Sequence, residues 1–229
     1  MREQFHGELR AMSENMVEMT RLVGSAIARA TTALMDADLT LAETVIAADL
    51  QVDAIQEQIE ERALAMLATQ APVATDLRVI VTGLRMTADL ERMGDLARHV
   101  AKLARLRYPH SAIPPEPRAT IVQMGQVAER IVAKTGSVIA TRDLAVAGEL
   151  ETDDDAMDQL HRGLFTLLLS PSWTYGIEAA VDVTLCGRYY ERFADHAVSV
   201  ARRVIFLVTG ERHHVGEPSG AHVIGSAGA

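Results

Sequence analysis

Asp89-Leu90-Glu91-Arg92-Met93-Gly94-Asp95 returns later in the chain as Tyr189-Tyr190-Glu191-Arg192-Phe193-Ala194-Asp195. Each copy sets Glu and Asp four residues apart, so on an α-helix both carboxylates leave the same face. Like charges at that spacing weaken an isolated helix by about 0.2–0.5 kcal/mol. Two arrangements would offset the cost. Either flanking arginines neutralise the acids, or each pair faces a second acidic pair on a neighbouring helix with a cation between them.

Outward from the first copy, Leu77, Ile80 and Leu84 form an apolar line whose helical continuation lands on Glu91 and Asp95, with Arg78, Arg85 and Arg92 on another side. This helix is expected to open at Pro72, where a missing amide proton costs nothing, and to run to about Arg107. Asp89 can pair with Arg92, and Asp95 with Arg98. Glu91 has no basic residue three or four places away, so local salt bridging accounts for only part of the motif. Upstream, a helix from about Leu39 to Thr69 carries Ile46, Val52, Ile55, Ile59 and Met66 on one side and Asp49, Asp53, Glu57 and Glu60 beside them. A first helix over Gln4 to Asp36 has an apolar stripe through Leu9, Met12, Met16, Met19, Val23, Ala26, Ile27, Ala30 and Leu34. Its methionines read as core filling rather than ligands.

Tyr108 to Pro117 contains four prolines and reads as a joint. Beyond it the pattern restarts. A fourth helix passes through Ile121, Met124, Val127, Ala128, Ile131, Val132 and Val138 to about Asp143. A fifth runs from about Gly148 or Asp153 to Leu169, and a sixth from Trp173 to Val208 with Gly210 closing it. The fold class is therefore all-α, with two tandem three-helix bundles over residues 1–108 and 118–210, a proline-rich linker at 109–117, and an aperiodic tail at 211–229 expected to be disordered. His213 and His214 in that tail read as a solvated pair.

The repeat gives the acidic pairs a context. The second helix reads Asp49-Leu50-Gln51-Val52-Asp53 and the fifth Asp154-Asp155-Ala156-Met157-Asp158, both DxxxD with an apolar residue before the last acid. Short turns make successive helices antiparallel neighbours, so each DxxxD can face an ExxxD and four carboxylates can converge in each half. Such oxygen donors suit magnesium, calcium, manganese or iron, and spacing alone does not choose among them.

Composition narrows the function classes. Lys plus Arg is 22 against 31 Asp plus Glu, a net charge of −9, and no basic run offers a phosphate-neutralising stripe, so nucleic acid is not an expected partner. Cys186 stands alone in an apolar helical pattern and reads as a buried thiol in a reducing compartment. No apolar run reaches the length of a membrane span and MREQFHGELR lacks the apolar core of a signal peptide, so a soluble, cytoplasmic protein without direct membrane insertion is expected.

Gln70-Ala71-Pro72-Val73-Ala74-Thr75-Asp76-Leu77-Arg78, followed by Leu90-Glu91-Arg92-Met93-Gly94-Asp95, resembles in order and spacing the QxPxxxDLR and LERxGD signature of the PhoU family. The resemblance covers roughly residues 1–210. It implies two tandem three-helix bundles and a non-enzymatic negative regulator of phosphate uptake. Such a regulator would act as an adaptor between the ATPase subunit of a phosphate ABC transporter and a sensor histidine kinase, as a homodimer. In some members paired acidic motifs hold multinuclear metal clusters, often iron. By position that implies Asp49, Asp53, Glu91 and Asp95 for one site and Asp154, Asp158, Glu191 and Asp195 for the other. The second half departs from the pattern: Arg188 replaces Ala88, Arg162 and Phe165 stand where the first half has Glu57 and Glu60, and Ala194 replaces the signature glycine. The first site is accordingly expected to be the stronger. His99 and His161 are either additional ligands or ordinary helix-surface histidines.

No glycine-rich phosphate loop occurs, so direct phosphate sensing is not expected. Two other classes compete with the regulator. A carboxylate-bridged metal enzyme on a helical bundle would want two ExxH pairs facing one core. Only Glu3 with His6, and Asp158 with His161 in the other half, approach that pattern. A metal-free helical scaffold is the other.

Overall fold

Six helices make up the described part of the chain, residues 2–211 of a computed structural model: α1 Arg2–Asp36, α2 Leu39–Gln70, α3 Ala74–Arg107, α4 Pro115–Thr141, α5 Leu144–Leu168 and α6 Gly176–Thr209. Except for Glu211, the expected disordered tail and its histidine pair lie outside the described residues.

Helix ends differ from expectation where local chemistry outweighed periodicity. α3 opens at Ala74, not Pro72, because Ala71 turns into the left-handed region (φ 43°) and Val73 is extended (φ −126°). The residue before a proline is barred from the right-handed helix, which sets the turn one step earlier than the proline itself. Conversely, Pro115 and Pro117 of the expected linker form the first turn of α4, the one helical position that tolerates missing amide protons. α5 starts at Leu144, earlier than Gly148, because the Asp143 carboxylate accepts from the Ala145 and Val146 amides at 2.8 and 3.3 Å. α6 starts at Gly176 rather than Trp173: the Trp173 amide donates to Ser170 O, and its indole N–H donates to Gly176 O, so the tryptophan pins the turn.

In each unit three helices pack pairwise along neighbouring lengths, α2 on α3 and α5 on α6 among them. The two units also share a core. α1 packs on α4 and α3 on α6, so these four helices form the centre while α2 and α5 flank it. Both cross-unit pairs are antiparallel, as the residues that meet show: Thr31 with Gly125 and Thr20 with Gly136 on α1 and α4, Arg107 with Asp182 and Asp89 with Arg203 on α3 and α6. The methionine stripe is core: Met12, Met16 and Met19 are all buried, and Met12 fills the notch at Gly83. Each such side chain contributes about 1.5–3 kcal/mol by leaving water. Cys186 is fully buried, which pushes its thiol pKa well up and removes it from thiolate chemistry.

Candidate functional site

The two helix pairs that carry the acidic motifs do meet. On the first, Asp49 of α2 is buried, and Asp53, Glu91 and Asp95 are half-buried around it. Gly94 allows the approach: a Cβ there would lie 3.2 Å from Asp49 Oδ1 and 3.4 Å from Val52 Cγ1, tighter than an ordinary contact. Burial raises the Asp49 pKa first, Arg98 opposes it, and the charges of Asp53 and Asp95 add to it. Glu91 is raised by burial and then by Asp95, with Arg92 opposing and Asp53 adding. Acids of each helix therefore repel acids of the other. Glu57 and Glu60 are exposed, and Glu60 accepts from Gln56.

Arginine occupies the place where a cation would bridge the helices. Arg98 sends Nη1 to within 2.7 Å of Asp49 Oδ2 and Nη2 to Asp95 Oδ1, so one guanidinium spans a carboxylate from α2 and one from α3. Arg92 Nη1 donates to Asp95 Oδ2 at 3.0 Å while its Nε stands 3.6 Å from Glu91 Oε2. This corrects the expected Asp89–Arg92 pair. It also supplies the basic neighbour that spacing denied Glu91, one residue along rather than three or four. Asp49 Oδ2 has no well-aligned hydrogen bond, so its contact with Arg98 is ionic rather than directional. An ion taking oxygens from both Asp49 and Asp95 would have to displace Arg98, and the first cluster as arranged does not fit a metal. Among the described residues no group of three or more His, Cys, Asp and Glu is placed to hold one.

The second cluster is built differently. Glu191 is half-buried and bound by Nη1 of Arg188, three residues earlier on α6. Burial, then Asp195 and Asp158, raises the Asp154 pKa to about 6, against Arg202. Glu191 is raised by burial and Asp195, with Arg188 opposing. Asp158 and Asp195 are exposed. Among the described residues no arginine or lysine pairs with the carboxylates of Asp154, Asp158 or Asp195; position 198 is valine where position 98 is arginine, and Arg202 engages Glu151 at 3.2 Å.

Both histidines have structural settings. His99 donates from Nδ1 to Asp95 O at 2.8 Å and stacks on Tyr189 at 5.2 Å. His161 lies against the bare Gly187 and beside Phe165; burial, then Arg188, lowers its pKa. The two ExxH-like pairs stand on α1 and α5, which do not touch among the described residues, so they share no core.

Sequence reasoning missed two polar clusters that tie the halves together. Arg107 of α3 donates from Nε and Nη2 to Asp182 of α6 at 2.6 and 3.0 Å and also meets Glu178. Asp89 receives Arg203 Nε at 2.8 Å and lies 3.1 Å from His196 Nδ1. The motif's own Tyr190 is fully buried, with its hydroxyl 2.7 Å from Thr31 Oγ1 of α1. No spacing rule reveals partners 71 to 159 residues apart.

One end of the α5–α6 pair presents an apolar groove of about 580 Å³ lined by Leu168, Trp173, Ile177, Val181 and Leu185, with Ile177 84% exposed. No helix among the described residues is long and apolar enough to cross a membrane.

Comparison with known proteins places this architecture. The PhoU domain family matches twice, over residues 16–104 and 121–204. The chain is 50% identical over 210 residues to the phosphate-specific transport system accessory protein PhoU homolog 2 of Mycobacterium tuberculosis, covering 92% of this chain and 99% of that protein. It is 49% identical over 210 residues to PhoU homolog 1 of Mycobacterium leprae, covering 92% and 95%. The crystal structure of PhoU from Pseudomonas aeruginosa superimposes with a TM-score of 0.82 at 29% identity, covering 90% of this chain and all of that one.

Proposed function

This chain belongs to the PhoU family, and from that membership we propose that it is a non-catalytic accessory protein of a phosphate-specific transport system that restrains phosphate uptake and phosphate-starvation signalling. Its partners in this reading are the transporter's ATPase subunit and the cytoplasmic region of a sensor histidine kinase, with the protein itself cytoplasmic and homodimeric. The observation that carries an adaptor role is the uncovered apolar groove at the α5–α6 turn. Ile177, 84% exposed, lies in one contiguous apolar patch with Trp173, Val181 and Leu185, and a patch of that kind marks a surface for a partner. The groove is formed on the packed α5–α6 pair and its lining is mainly aliphatic and aromatic, which supports docking.

The test is co-purification of the transporter's ATPase subunit and of the kinase's cytoplasmic region with the full chain. Retention of at least one, lost on Ile177→Asp with helical content unchanged, is the expected result. Retention of neither would sink the adaptor reading.

Cation binding is a second reading, and it is favoured only at the second cluster. There the charges of Asp158 and Asp195 add to burial in raising the Asp154 pKa, and among the described residues no arginine or lysine pairs with any of the three. Carboxylate oxygens of this kind would take magnesium, calcium, manganese or iron. Metal analysis of protein before and after Asp154→Asn/Asp195→Asn reads it directly.

A further inference from the structure

We infer that Arg98 is the resident cation of the first acidic cluster, a built-in guanidinium clamp between α2 and α3 that takes the place a divalent ion would hold and excludes one. Three observations converge on this. First, the guanidinium is bidentate across two helices, Nη1 at 2.7 Å from Asp49 Oδ2 and Nη2 on Asp95 Oδ1, so a single positive charge is shared by the two acids that would otherwise be bridged. Second, the site is built around it. Asp49 is 6% exposed, Arg98 itself is largely covered, and Gly94 leaves out the Cβ that would push Asp49 away. A buried carboxylate needs a partner in place at all times, and an arginine anchored one helical turn away on α3 supplies it without depending on ion supply. Third, the arrangement belongs to the first half alone. Val198 occupies the position equivalent to Arg98, and among the described residues no arginine or lysine forms an ion pair with Asp154, Asp158 or Asp195, Arg202 of α6 engaging Glu151 instead.

The order of the two sites is thereby the reverse of the one the motifs suggest. The half with the intact signature carries its own positive charge. The half with the degenerate signature leaves Asp154, Asp158 and Asp195 without an ion-pair partner among the described residues. Arg188 secures Glu191 on its own helix only, so it does not clamp α5 to α6 as Arg98 clamps α2 to α3.

The experiment uses the full chain carrying Asp154→Asn and Asp195→Asn, so that only the first cluster can report, and Mn²⁺ as the probe, followed by electron paramagnetic resonance. With Arg98 intact, free Mn²⁺ should titrate as in buffer. With Arg98→Gln, Mn²⁺ should bind at least about tenfold more tightly, the removal of a like charge within contact distance in a partly buried site, and Asp49→Asn should abolish that gain. Equal Mn²⁺ binding with and without Arg98, lost on Asp49→Asn, would overturn the inference. If Arg98→Gln folds only when Mn²⁺ is present, the ion has replaced the guanidinium and the inference stands. If it folds under neither condition, the nitrogen-15 resonance of the Arg98 guanidinium in the parent decides: a signal unbroadened by Mn²⁺ supports the clamp, and a broadened one places an ion beside it and refutes it.

Discussion

Gly125→Ala tests the packing that joins the two repeats. The glycine lies on α4 against α1, and a Cβ there would fall 2.7 Å from Thr31 Cγ2, 2.9 Å from its Oγ1 and 3.3 Å from its Cβ. Thr31 cannot move freely, because its hydroxyl bonds Ile27 O at 2.8 Å and the buried Tyr190 hydroxyl at 2.7 Å. Helix propensity alone would favour alanine by about 1 kcal/mol. Against that stand about 1–3 kcal/mol for overpacking and about 1–3 kcal/mol for a buried tyrosine hydroxyl left without its partner. The balance is a loss of about 1–5 kcal/mol, read as a lower urea midpoint at unchanged slope. Gly148→Ala and Gly163→Ala are the controls: nothing lies within 4 Å of either, so both should stabilise by up to about 1 kcal/mol. Thr31→Ala removes the obstructing atoms, so the Gly125→Ala/Thr31→Ala double variant should lose at least about 1 kcal/mol less than the sum of the singles. Additive losses, or a Gly125→Ala variant as stable as Gly148→Ala, would refute the close α1–α4 contact.

Removing the guanidinium in Arg107→Met strands Asp182, which is 4% exposed, and should lower the melting temperature; adding Asp182→Asn should restore part of the loss, and a second substitution that only worsens it would disprove the pairing. Because its pKa is raised to about 6, Asp154 binds a proton more readily folded than unfolded, so its contribution is favourable below pH 4 and is lost as pH rises through about 6. In chelator, Asp154→Asn should therefore stabilise the protein at pH 7.5 by about 1 kcal/mol after solvent screening of a half-exposed group, with the gain disappearing below about pH 4. A gain that is the same at both pH values would exclude this origin.

Helix existence, the repeat and the facing of acid on acid were legible because each depends on separations of three, four or a fixed offset along one chain. Helix starts were less so. The Asp143 cap and the Trp173 turn depend on which side chain reaches which amide, and periodicity carries no trace of either. At the site, the four acids of the first half could be named from the motif, yet Arg98 read only as a local partner of Asp95. Its second contact, across to Asp49, exists because two antiparallel helices come to rest with Gly94 between them.

From its sequence alone the protein was bound to be two copies of an amphipathic three-helix unit, since apolar residues recurring every three or four positions can leave water only by packing helix on helix. Which copy would neutralise its own acids was left to the tertiary structure, as were the joining of α1 to α4 and α3 to α6 and the seating of Tyr190 on Thr31. Charge and hydrogen-bond pairing act over a few ångströms, and those distances come into being only once residues far apart in the chain have been packed together.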